Sequence, residues 1–212
     1  MSLASISPRA LASVATIAAL ALAAAAAPVR AQEAPDAMVK RVQQEVLQII
    51  KTDPRVQAGD QARTREVVES KLLPNFDFTR MTALAMGRNW RQATPEQQQR
   101  LTAEFRSLLV RTYAGALNQY RDQQISYKPL RAEDKATDVI VRTEVVRPGQ
   151  QPVQIDYGME KSGDSWKSYD VIVGGVSLVT NYRDEFNEQI RSGGIDGLIR
   201  TLADKNKGAA GK

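Results

Sequence analysis

The 212-residue chain contains no cysteine and no histidine. Without cysteine an oxidising compartment finds nothing to crosslink, so the fold rests on its hydrophobic core alone. Without histidine the Ser/His and Cys/His nucleophile pairs are excluded, along with the usual imidazole base and nearly every transition-metal site. No P-loop pattern occurs, and Gly174 and Gly175 lack the spacing of a phosphate cradle. Carboxylates remain for catalysis. Asp134 with Asp138, and Asp156 with Glu160, can be written as acid/base pairs. The first pair falls in a turn and the second on the wet face of a strand, where solvated charge is the ordinary state. The sequence therefore reads as a protein that is not an enzyme. Charge of one sign is also lacking: 29 Lys and Arg stand against 24 Asp and Glu, scattered among one another, so there is no nucleic-acid footprint.

Long apolar runs are confined to the start. Met1–Ala31 has one early basic residue, Arg9, then an Ala- and Leu-rich run from Leu11 to Ala27, then Pro28, Val29, Arg30 and Ala31. Val29 and Ala31 have the spacing of a signal-peptidase site, and the apolar run is short of the ~20 residues that span a bilayer. A cleaved leader, 1–31, and an exported soluble protein are expected. Arg9 and Arg30 leave with the leader, so the formal excess of +5 shrinks by those two charges.

The remaining chain is long enough for one domain with a sizeable core, 32–204, before a polar, glycine-rich tail, 205–212, expected to be disordered. No internal repeat divides it. Met38, Val39, Val42, Val46, Ile49 and Ile50 form a helical stripe, Thr52 to Gly59 reads as a loop, and a second helix covers Gln61 to Leu72. A third runs from about Phe78 to Met86 and stops at Gly87. Thr94, Pro95 and Gln97 then spell a capping box with proline at the first helical position, opening a long helix to about Tyr120. From Gln124 the apolar period becomes two: Ile125 and Tyr127, then Val139 to Val145, then Val153 to Met159 with Gln154, Asp156 and Glu160 on the wet side, then Tyr169, Val171 and Val173 on one face. Short turns join these strands, as antiparallel neighbours require. A helix from Leu178 to Arg191, a glycine stop at Gly193 and Gly194, and a short helix with Ile195, Leu198, Ile199 and Leu202 close the chain. The fold class is α+β, with helices on one face of a curved antiparallel meander of about four strands.

The run YDVIVGGVSLVTNY (Tyr169 to Tyr182), with LLPNFDFTRMTALAMGRNWRQATPEQQQRLTAEFRSLLVRTYAGAL (Leu72 to Leu117) and SGGIDGLI (Ser192 to Ile199), resembles the MlaC family of periplasmic phospholipid carriers, also called toluene-tolerance proteins. The resemblance covers nearly the whole chain after the leader, and its motifs are specific in combination. It implies an apolar cavity enclosed by sheet and helices, a bound phospholipid as cargo, no cofactor, a periplasmic location and a monomer. As partners it implies an inner-membrane ABC transporter complex with its MCE-domain subunit, and an outer-membrane lipoprotein–porin complex. On this reading the cavity is lined by Phe76, Met81, Leu84, Leu109, Tyr113, Val141, Val145, Val153, Ile155, Tyr157, Tyr169, Val171, Val173, Val176 and Leu178. Arg106 and Arg111, outside the apolar stripe of the long helix, are candidate docking charges. A carrier of hopanoid-type lipids is a variant of the same reading, and an envelope adaptor with a solid core is its rival.

Overall fold

Among the described residues five antiparallel strands succeed one another in chain order: β1 (Gln124–Tyr127), β2 (Asp138–Val146), β3 (Val153–Ser162), β4 (Ser165–Val173) and β5 (Val176–Ser177). The computed structural model describes residues 32–119, 123–133, 135–147 and 149–208. The expected leader, Asp134, Pro148 and the last four residues of the expected tail lie outside the described residues. The sheet is curved and does not close, with β1 and β5 at its edges.

The fifth strand is one more than the period-two pattern gives. Gly174 and Gly175 have φ of 57° and 85°, the paired positive angles of a type I′ hairpin turn, which glycine adopts at no steric cost. Among the described residues, chain neighbours apart, no atom lies within 4 Å of where a Cβ would stand on either glycine. The pair therefore serves the turn and not a close approach. The chain does not pass directly from β4 into a helix. It folds back through β5 and a 3₁₀ turn at Thr180–Tyr182 before the last helix begins at Arg183. Asp170 directs this return: buried in β4, it accepts from the Val179 N–H at 3.3 Å, while the Leu178 N–H reaches the Val171 carbonyl at 2.8 Å.

The register defines two faces. Val139, Val141, Thr143 and Val145 of β2 lie opposite Met159, Tyr157, Ile155 and Val153 of β3, and Ile155 and Tyr157 lie opposite Val173 and Val171 of β4. These form the inner face. One expected member is missing. A bulge at Gly158/Met159 leaves Tyr169 unpaired, and its hydroxyl donates at 2.7 Å to Asp138, which belongs to the outer face. Gly158 permits this, since a Cβ there would meet the Tyr169 ring at 2.9 Å. The extra residue re-aims the side chain, as bulges do.

Helix α1 (Pro35–Thr52) covers the lower half of the inner face, packing Met38, Val39 and Val42 on Val139, Val141, Met159 and Trp166. Gln43 donates to the Tyr157 hydroxyl at 2.8 Å, and burial raises that phenol to about 12. The expected loop after α1 holds a short helix, α2 (Pro54–Gln57), because Asp53 accepts from the N–H groups of Arg55 and Val56. Next come α3 (Gln61–Val67), continued by a π turn to Leu72, and α4 (Phe78–Met86), capped by Asp77. The Asp77 N–H also bonds the Ser168 carbonyl at 2.9 Å, so Phe76 forms a parallel bridge there and shields the lower edge of β4.

The long helix, α5 (Pro95–Tyr113), opens with the expected capping box: Gln97 N–H to Thr94 Oγ at 3.2 Å, and Thr94 N–H to Gln97 Oε at 3.0 Å. It tightens into a 3₁₀ segment at Ala114–Gln119. The last helix, α6 (Arg183–Gly208), bends where Gly194 has φ 69°, at the expected stop. It continues four residues into the expected tail because the Lys205 ammonium pairs with Glu185 and Asn206 donates to Glu104. Phe105 and Leu101 of α5, Phe186, Leu198, Ile199 and Leu202 of α6, and Met81 and Met86 of α4 form a helical core with Val179. Among the described residues no helix is long and apolar enough to cross a membrane.

Candidate functional site

The upper inner face of the sheet is apolar and only partly covered. Val145, Ile155, Val171 and Val173 point to the same side as the residues under α1, yet they remain half-buried and belong to none of the three packed hydrophobic clusters. Leu178, beyond β5, is half-buried as well. At the end of this face Val153 and Val176 are 42% and 56% exposed, so they form its outer rim. In a solid core β-branched residues on an inner face would be sealed; here the apolar surface continues past the edge of α1 and stays open.

The other residues expected at a cavity wall divide into four groups. Phe76, Leu84 and Tyr113 are half-buried at the margin of the helical core. Met81 and Leu109 are buried within that core, and Val141 and Tyr157 pack in the cluster under α1. Tyr169 stands on the outer face, turned there by the bulge at Gly158/Met159. The two arginines expected to dock partners differ. Arg106 is exposed, with its guanidinium 5.7 Å from the Phe78 ring centre. Arg111 is half-buried and donates to the carbonyls of Lys205 and Asn206, satisfying groups that the end of α6 would otherwise leave open.

The carboxylates considered for acid/base work are occupied otherwise. Asp138 and Glu160 face each other across β2 and β3, and Arg80 of α4 pairs with both, with Asp138 at 2.6 Å. The guanidinium lies 3.6 Å from the centre of the Tyr169 ring. Partial burial opposes its charge, and the two carboxylates outweigh that burial and raise its pKa. Nothing local in the sequence marks Arg80 for this role, since its partners lie 58 and 80 residues downstream. Asp156 does not sit on a wet face: it is buried beneath its neighbours Gln154 and Arg142, accepting from Gln154 Nε at 2.7 Å, and its Oδ1 has no hydrogen-bond partner. On the same outer face Lys128, Pro129, Arg131 and Arg142 line a cleft of about 470 Å³. Among the described residues no three His, Cys, Asp or Glu side chains gather as a metal site would require.

Burial raises the pKa of Asp170, against the hydrogen bonds from Ser177 and Val179. A carboxyl whose folded pKa lies above its unfolded value of 3.8 favours the fold most below that value, and the benefit is lost as pH rises through the folded pKa. Asp170→Asn keeps an acceptor for the Val179 N–H and removes the buried charge. The variant is expected to gain stability relative to the parent between acid and neutral pH, as read from urea midpoints at about pH 3 and pH 7. An equal gap at both values would show that the carboxylate charge carries no such cost.

Known proteins resemble this chain in sequence and fold. A solved phospholipid-binding protein from Ralstonia solanacearum, determined in complex with a phospholipid, is 44% identical, superposes with a TM-score of 0.76 and covers 85% of this chain and 98% of its own. The intermembrane phospholipid transport system binding protein MlaC of Haemophilus influenzae is 24% identical over 82% of this chain and 79% of its own length. The toluene tolerance protein ttg2D of Pseudomonas putida is 35% identical over 113 residues, 53% of this chain; the match spans about half, 51%, of that relative. The MlaC protein family model aligns with residues 40–204, from α1 through α6, and the chain belongs to that family.

Proposed function

We propose that the protein is a soluble, periplasmic phospholipid carrier, and that the acyl chains of its cargo lie against Val145, Ile155, Val171, Val173 and Leu178. The observation that carries the proposal is the 44%-identical structural relative solved with a phospholipid. The half-open apolar face supplies a surface of the right chemistry. Burying a methylene is worth about 0.8 kcal/mol, so a lipid with some thirty methylenes costs on the order of 20 kcal/mol to hold in water. Spontaneous crossing of an aqueous compartment is negligible on that scale. A carrier must therefore shield hydrocarbon, and it needs no covalent step of its own. Partner complexes in the two membranes, an ABC transporter with an MCE-domain subunit at the inner and a lipoprotein–porin assembly at the outer, would load and unload it.

Native mass spectrometry of purified protein is expected to show a mass increment of a two-chain phospholipid, released on organic extraction. An extracted polycyclic lipid would reassign the cargo to the hopanoid class. No copurifying lipid and no uptake from vesicles would falsify the carrier reading and favour an adaptor.

A further inference from the structure

Among the described residues the end of the sheet beyond the proposed cargo surface carries little charge. Residues 145–147, 149–155 and 171–182 meet there, held together by the Gly174 N–H on the Gln154 carbonyl at 2.9 Å. They contain one charged residue between them, Arg147, in a chain that is 25% charged. Val153 and Val176 are among the three large apolar side chains that are exposed among the described residues, and both stand at this end. The register places them two strands apart on one side of the sheet, flanking Ile155 and Val173. The rim is thus continuous with the half-open inner face.

We propose that this rim is a membrane-contact surface: Val153, Val176 and the Gly174–Gly175 turn touch the headgroup region of a bilayer while lipid enters or leaves. The proposal rests on the carrier reading. Three features favour a bilayer over a protein port. The segments bear a cation and no acid, which suits an anionic lipid surface. The free edge belongs to a strand of 2 residues, too short for a partner strand to pair along it. Small apolar side chains around a turn with open space about it give a shallow, reversible contact, and a carrier must release after each exchange.

The lack of cysteine makes the test direct. Val176→Cys carries an environment-sensitive dye, and Ser162→Cys, at the opposite end of the sheet, serves as control. With vesicles of phosphatidylethanolamine and phosphatidylglycerol, the dye at position 176 is expected to shift to the blue and brighten about twofold, and the dye at 162 to stay unchanged. The neutral double variant Val153→Asn, Val176→Asn is expected to take up lipid from the same vesicles about tenfold more slowly. No shift at 176, or a parental uptake rate, overturns the proposal. So does a shift that requires envelope proteins in the vesicles, which would make the rim a protein port. Bound lipid without a shift sinks the rim alone; a shift in protein that never holds lipid sinks the carrier reading alone.

Discussion

Val171→Trp is expected to empty the protein of lipid without unfolding it. Val171 lies opposite Tyr157 on the inner face and stays half-buried outside the packed clusters, so an indole there projects onto the proposed cargo surface. Displacing three methylenes of an acyl chain costs about 2.4 kcal/mol, roughly fifty-fold in affinity. Lipid recovered by extraction should fall accordingly while far-ultraviolet circular dichroism holds. Val173→Trp, two residues along the same face, gives an independent reading if the first variant folds poorly. Full lipid content in both folded variants would show that the acyl chains lie elsewhere.

Phe105→Ala should give the largest loss of stability. The Phe105 side chain is 0% exposed, and its ring meets Tyr182 and Phe186 edge-on, both at 5.1 Å between centres. It joins α5 to α6 and to the turn after β5. Removing such a ring costs about 3–5 kcal/mol through lost transfer energy and the cavity left behind. For a chain of this size that is a fall of about 10 °C in Tm. Calorimetry showing a drop under about 2 °C would mean that the helical core closes over the gap and is looser than its burial indicates.

Much of this architecture was legible in the residues because local rules govern it. Thr94 and Gln97 announce α5 through their own hydrogen bonds, and alternation of Val139, Val141 and Val145 gives the strand and its inner face. The failures occur where a distant partner decides. Tyr169 continues the alternation of Val171 and Val173 on paper, but Gly158, on the neighbouring strand, offers its ring a place on the other side. Leu178 opens a plausible helical stripe, yet buried Asp170 takes the Val179 N–H and delays the helix to Arg183. Asp156 has the spacing of a solvated residue, and only the cross-strand register brings Arg142 beside it, where Gln154 of its own strand also bonds it. At the candidate site, alternation supplies the valines of the wall. It cannot tell which of them α1 covers, since that depends on how far a helix reaches across a sheet about 100 residues away. That distinction separates Val141, which is packed, from Val171, which is only half-buried.

Helix α1 is synthesised well before the strands it covers. Its stripe of Met38, Val39 and Val42 rests on side chains as far along as Trp166, so for most of synthesis that greasy flank has no native surface to meet. Closing so long a loop is slow and leaves sticky intermediates. Until β4 is in place the apolar flank of α1 stays exposed and prone to aggregation.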